Sequence, residues 1–155
     1  AITRSRLRRI TSLATCENMD DFLDIMGLYK DHYPNWKDNT LKEIYMHIYP
    51  SLFLNQYTIN RDEDGMYGFT NWAFLDEKTE QKFLDEKSLG IDDWKTGDRT
   101  WVIDTVYIKE HNVMKFNKTF FTHLLGPGKT VQWLRLAPNG LIRNHFKVTT
   151  KEHWL

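Results

Sequence analysis

The chain has a single cysteine, Cys16, so no disulfide can form within it. That excludes a disulfide-stapled scaffold and suits a reducing compartment. Cys16 is also a poor nucleophile by context, because Glu17 beside it disfavours the thiolate. Net charge is missing: 21 Lys and Arg balance 21 Asp and Glu, which removes a whole-domain electrostatic grip on nucleic acid. Long apolar runs are missing too, so no segment reads as a bilayer span. No secretory leader is visible, and a cytoplasmic protein is expected. Repeats and Gly/Pro/Ser-rich linkers are absent, so residues 1–155 are expected to form one domain, with residues 1–15 a loosely held basic end. His47, His111, His123, His145 and His153 show no paired metal-ligand spacing, and no metal is expected.

What is present is enough to build a core. Of the 155 residues, 41% are hydrophobic, which places the chain among globular proteins. Six Trp, seven Tyr and nine Phe can fill that core or line a cleft for a long apolar group. Trp72, Trp101 and Trp133 read as core, since no basic stripe accompanies them. One local basic run stands at Arg4, Arg6, Arg8 and Arg9: either a solvated end or a contact for an acidic partner or a phosphate.

Periodicity orders the elements. Residues 20–31 read as a helix, with Phe22, Leu23, Met26 and Tyr29 near helical spacing. Thr40 with Glu43 has the form of a capping box; Leu41, Ile44, Tyr45, Ile48 and Tyr49 follow, and Pro50 is expected to end that helix. Strand-like runs over about 52–60 and 66–75 are joined by the turn 61–65. Helix is expected over 77–86, strand over 101–108, helix over 112–125, and strands over about 130–136 and 141–149 around Pro138-Asn139-Gly140. Gly126-Pro127-Gly128-Lys129-Thr130 has part of the outline of a phosphate loop. It lacks the first glycine and follows a helix, so it reads as a helix cap leading into a strand. The order α-α-β-β-α-β-α-β-β predicts an α+β fold, a mixed, mainly antiparallel sheet flanked by helices.

Two residues stand out chemically. Asp104 interrupts Trp101-Val102-Ile103 and Val106-Tyr107-Ile108, and a charge inside such a strand is costly unless paired. It either bonds a backbone N–H or an arginine such as Arg99, or faces a site and holds a histidine. His32 ends a helical stretch before Tyr33-Pro34-Asn35. It either caps that helix or serves as a base, its basicity favoured by the helix end and by a nearby carboxylate.

The blocks His32 with Asn35-Trp36, Pro50 followed by Asn55-Gln56-Tyr57, Asn71-Trp72-Ala73, and Thr96-Gly97-Asp98-Arg99 with Trp101-Val102-Ile103-Asp104 stand in an order that resembles the RTX toxin-activating lysine acyltransferases, the hemolysin-activating family, over about residues 26 to 148. The resemblance implies a GNAT-like fold and an acyltransferase. Such an enzyme moves a fatty acyl group from acyl carrier protein to a lysine of a protein such as a toxin. It implies His32 and Asp104 as catalytic residues, with Asn35, Trp72 and Arg99 supporting. It also implies an association of two copies, as relatives often form. Acyl carrier protein is acidic, so Arg4, Arg6, Arg8 and Arg9, or Lys115 and Lys118, are candidate docking charges.

Coenzyme A is disfavoured as donor. The turn Leu75-Asp76-Glu77-Lys78-Thr79, where a GNAT enzyme would cradle pyrophosphate, has no glycine and carries two acids. Two other readings compete with the first. One is a non-enzymatic structural or interaction protein on the same scaffold, for which the occurrence of small relatives in phage genomes suggests a virion or host-interaction role. The other is a GNAT enzyme using acetyl-coenzyme A.

Overall fold

In a computed structural model of the chain, residues 19–36 and 38–155 are described. Arg4, Arg6, Arg8, Arg9 and Cys16 lie outside the described residues. Helices α1 (Met19–His32) and α2 (Leu41–Phe53) precede the hairpin β1 (Tyr57–Asp62) and β2 (Gly65–Leu75). Helix α3 (Glu77–Glu86), β3 (Arg99–Tyr107), α4 (Val113–Leu125), β4 (Thr130–Leu136) and β5 (Ile142–Thr149) follow, with a 3-10 turn at Glu152–Trp154. The five strands form one sheet in chain order, antiparallel except for β3 and β4. This is the expected α+β architecture, and it is compatible with a GNAT arrangement.

Local chemistry fixes the helix starts. Thr40, Asp76 and Asn112 each accept a hydrogen bond from the backbone N–H three residues on, at 3.1, 2.7 and 3.1 Å. Only half of the capping box at Thr40 forms, because the Glu43 carboxylate takes the Asn39 amide instead. Pro50 does not end α2, which runs one further turn to Phe53. A proline inside a helix removes one backbone bond and crowds the preceding turn, at about 3 kcal/mol. Here burial of the Pro50 ring and of Ser51 and Leu52 overrides that cost.

The sheet carries two packed faces. Phe69, Asn71, Ala73 and Leu75 alternate with Thr70 and Trp72 along β2. On the first face, Phe69 and Val106 pack with Ile25, Leu28 and Tyr29 of α1 and Ile44 and Ile48 of α2. Ala73 and Leu75 continue that face into a cluster with Phe83, Trp94 and Trp101. On the second face, Trp72 and Val102 pack against Phe120 and Phe121 of α4.

A bulge sets the faces of β3. Asn71 pairs with Asp104, but Trp72 pairs with Val102, so Ile103 is an extra residue. In an unbroken strand positions 102, 104 and 106 would share one face. The bulge separates them: Val102 joins the α4 side, while Asp104 and Val106 face α1 and α2.

Candidate active site

The Asp104 carboxylate is buried, 4% exposed, beneath α1 and α2. Three donors converge on it. The Tyr29 hydroxyl donates to Oδ2 at 2.7 Å and the Tyr33 hydroxyl to Oδ1 at 2.9 Å. His47 Nε2 stands 2.5 Å from Oδ2. Burial, the largest single influence, works to raise the pKa of Asp104. The charge and hydrogen bond of His47 and the two tyrosine hydroxyls together outweigh it, and the carboxyl stays below its ordinary range. Burial and then the Asp104 charge push Tyr29 and Tyr33 well above the ordinary phenol value, so both remain neutral donors.

With the carboxylate ionised, His47 Nε2–H donates to it, which leaves Nδ1 as the ring's basic nitrogen. The His47 side chain is 23% exposed, so the pair joins a buried acid to a base within reach of solvent. Trp36 stacks on the imidazole with centroids 4.3 Å apart, and Tyr29 and Trp94 meet it edge-on at 6.2 and 6.4 Å. These aromatic walls limit the rotamers open to the ring.

The backbone of Asp104 is held as firmly. Its N–H donates to Asn71 Oδ1 at 2.9 Å, and Asn71 Nδ2 donates to Ser51 Oγ at 3.0 Å. Ser51 lies four residues beyond His47, one helical turn along α2. Asn71 therefore ties the helix that carries the imidazole to the bulged strand that carries the carboxylate.

The expected site residues fall in different places. Asp104 is turned toward α1 and α2, and the histidine within hydrogen-bond distance of it is His47. His32 is the last residue of α1, exposed, and among the described residues it makes no hydrogen bond to Asp104. Asn35 is exposed in the turn after α1, and its neighbour Trp36 is the residue that reaches the imidazole. Trp72 lies in the core on the opposite face, against Phe120 and Phe121, while its neighbour Asn71 serves the Asp104 cluster. Arg99 does not bond Asp104: it pairs with Glu80 at 2.7 Å at the other end of β3. Lys115 and Lys118 are exposed on α4, with Lys118 also set over the Trp154 ring.

Two further expectations concern bound groups. The turn Leu75–Thr79 opens α3, which does not lead into the parallel strand pair. That crossover runs from β3 through α4 to β4, so the turn to weigh for an anion is 108–112. It also lacks glycine, and the Asn112 side chain already occupies the Lys115 N–H. Among the described residues, no group of three or more His, Cys, Asp and Glu is placed to hold a metal, and no helix is long and apolar enough to cross a membrane.

His47 is the histidine that joins this cluster, and the sequence did not single it out. Its signal was faint but present: an imidazole three residues after Ile44 and four before Ser51, on the packed side of an amphipathic helix.

The chain is similar to several known proteins. It is 32% identical over 83 residues to leukotoxin-activating lysine-acyltransferase LtxC of Aggregatibacter actinomycetemcomitans, covering 53% of this chain and 48% of that one. It is 27% identical over 107 residues to leukotoxin-activating lysine-acyltransferase LktC serotype A11 of Mannheimia haemolytica, covering 68% and 62%. It is 36% identical over 62 residues to protein-lysine myristoyltransferase HlyC of Escherichia coli, covering 39% and 36%. The matched stretches thus span between about a third and three fifths of these relatives' length. The profile of the RTX toxin acyltransferase family, HlyC, matches residues 18–148. By that match, which takes in both helices of the site and every strand up to Val148, the chain belongs to the RTX toxin acyltransferase family.

Proposed function

We propose that this chain transfers a fatty acyl group from acyl carrier protein to the side-chain amine of a lysine in a protein target, in the cytoplasm. The observation that carries the reading is the buried, ionised Asp104 holding a partly exposed His47 imidazole. The amine attacks the thioester carbonyl, His47 Nδ1 takes the amine proton, and the carrier's thiolate leaves. Asp104 fixes the tautomer and stabilises the imidazolium as it forms. General-base assistance of this kind contributes about 10²–10⁴-fold in rate.

His32 is the second candidate for the base. It is favoured by the family resemblance and by its place beside Tyr33, whose hydroxyl reaches Asp104. The donor is read as a carrier protein because the turn 108–112, which opens the crossover helix, has no glycine and the Asn112 side chain there already accepts from the Lys115 N–H. The named relatives favour a protein lysine as acceptor.

The test is intact-mass analysis of a candidate toxin substrate incubated with this protein and acyl-loaded carrier. A mass gain of one acyl chain, abolished by Asp104→Asn, is expected. Stable association with the target and no mass gain would favour the non-enzymatic interaction protein. Transfer from acetyl-coenzyme A in place of the acylated carrier would overturn the donor assignment.

A further inference from the structure

Helix α2 continues past the catalytic pair into an open groove of about 410 Å³. Tyr49, Pro50, Phe53 and Leu54 form one wall, and Ile91 and Trp94 from the loop before β3 form the other. The charges in its lining are Asp92 and Lys95. Two large apolar side chains in the lining stand in solvent: Phe53 is 74% exposed and Ile91 58%. A contiguous apolar surface of this kind, framed by charges, is a binding feature rather than scattered exposure. Its volume lies within the range of small-ligand clefts.

The groove adjoins the site through Trp94 and through helix α2. His47, Pro50 and Leu54 lie three and four residues apart on one helical face. Trp94, in the far wall, also meets the His47 ring edge-on at 6.4 Å. One wall of the groove therefore lies a single aromatic ring away from the imidazole.

Resting on the acyltransferase reading above, we infer that this groove holds the hydrocarbon chain of the acyl donor and places its thioester carbonyl at His47. The occupant must be apolar and linear to lie between these walls, and it must carry its reactive end where they meet the histidine. A fatty acyl thioester has both properties. A polar or bulky donor has neither. Burial of each added methylene then tightens binding by up to about fourfold.

The experiment measures binding rather than turnover, so the inference is tested even if transfer itself fails. Unreactive thioether analogues of hexanoyl- and dodecanoyl-pantetheine are titrated calorimetrically into the whole protein, the variant Phe53→Asp with Ile91→Asp, and the variant Asp104→Asn. Both groove positions are exposed, so the double variant keeps its core, which circular dichroism verifies. The wild type and Asp104→Asn are expected to bind the dodecanoyl analogue at least tenfold more tightly than the hexanoyl one. The double variant is expected to lose most of that difference. Equal binding of the two analogues by the wild type would overturn the inference, as would an unchanged preference in the double variant. Sedimentation of the same samples identifies the rival occupant: if the double substitution dissociates an oligomer and leaves chain preference intact, the groove joins copies of this chain. Loss of acyl transfer in Asp104→Asn with chain preference retained separates a failure of the catalytic reading from a failure of this one.

Discussion

Tyr29→Phe removes one hydroxyl and little else. The ring stays packed against Phe69, Trp36 and Tyr33, so no cavity larger than an oxygen atom opens. What disappears is a 2.7 Å donor to a buried carboxylate. A hydrogen bond to a charged group contributes about 1.5–3 kcal/mol, and here no water can enter to replace it, since Tyr29 is fully buried. The variant should lose about 2 kcal/mol at pH 7. Tyr33→Phe removes a comparable bond, 2.9 Å long, but Tyr33 is only half-buried. Water can take its place, and the loss should stay below about 1 kcal/mol.

The pH dependence distinguishes this cause from ordinary packing loss. The folded chain keeps Asp104 ionised to lower pH than the unfolded chain does. Its stabilisation is therefore complete above the unfolded carboxyl value of about 3.9 and fades as pH falls through the lower folded value. Tyr29→Phe weakens a bond to the ionised form and moves the folded value back up. The gap between variant and wild type should thus be full at pH 7 and narrow below about pH 4. Urea unfolding at both pH values, with slopes checked for equality, reads the difference. A Tyr29→Phe midpoint indistinguishable from wild type would refute the reasoning, as would a gap that does not change with pH or a larger loss for Tyr33→Phe.

Three further outcomes are expected. Gly97→Ala should destabilise by about 3 kcal/mol in thermal or urea melts, because a Cβ there would lie 2.6 Å from the Asp76 backbone and 2.7 Å from the Leu75 carbonyl oxygen. Asn71→Ala strands the buried Asp104 N–H and unties α2, so it should cost about 2–3 kcal/mol and slow acyl transfer, whereas a variant that melts early but transfers at the normal rate would deny Asn71 its positioning role. Thr40→Ala removes the α2 cap and should cost about 1 kcal/mol with transfer unchanged, as read by urea midpoint and intact mass.

Much of the architecture is legible in the sequence because it rests on local signals. The apolar spacing of α4, the Asp76 cap of α3 and the Pro138-Asn139-Gly140 turn each act over a few residues. Pro50 misleads for the opposite reason: a local rule predicts a stop, and tertiary burial of the proline ring overrides it. The site is legible only by half. Asp104 declares itself as a charge inside an apolar strand. Its partner does not, because His47 is 57 residues away and the contact depends on the Ile103 bulge, for which the alternation of β3 gives no warning. The same bulge explains why Asn71 and not Trp72 serves the carboxylate, since adjacent residues on a strand point to opposite faces. Arg99 belongs to a different network, with Glu80 and, through Glu80, the Trp101 indole.

The central claim is that Asp104 and His47 act as one unit in acyl transfer, and single-turnover kinetics followed by intact mass tests it most directly. His47→Gln and Asp104→Asn should each slow transfer by about 10²–10⁴-fold. The double variant should be no slower than the slower single, because residues that act together are not additive. Normal transfer by His47→Gln, with loss of transfer in His32→Gln, would contradict the account and move the base to the end of α1.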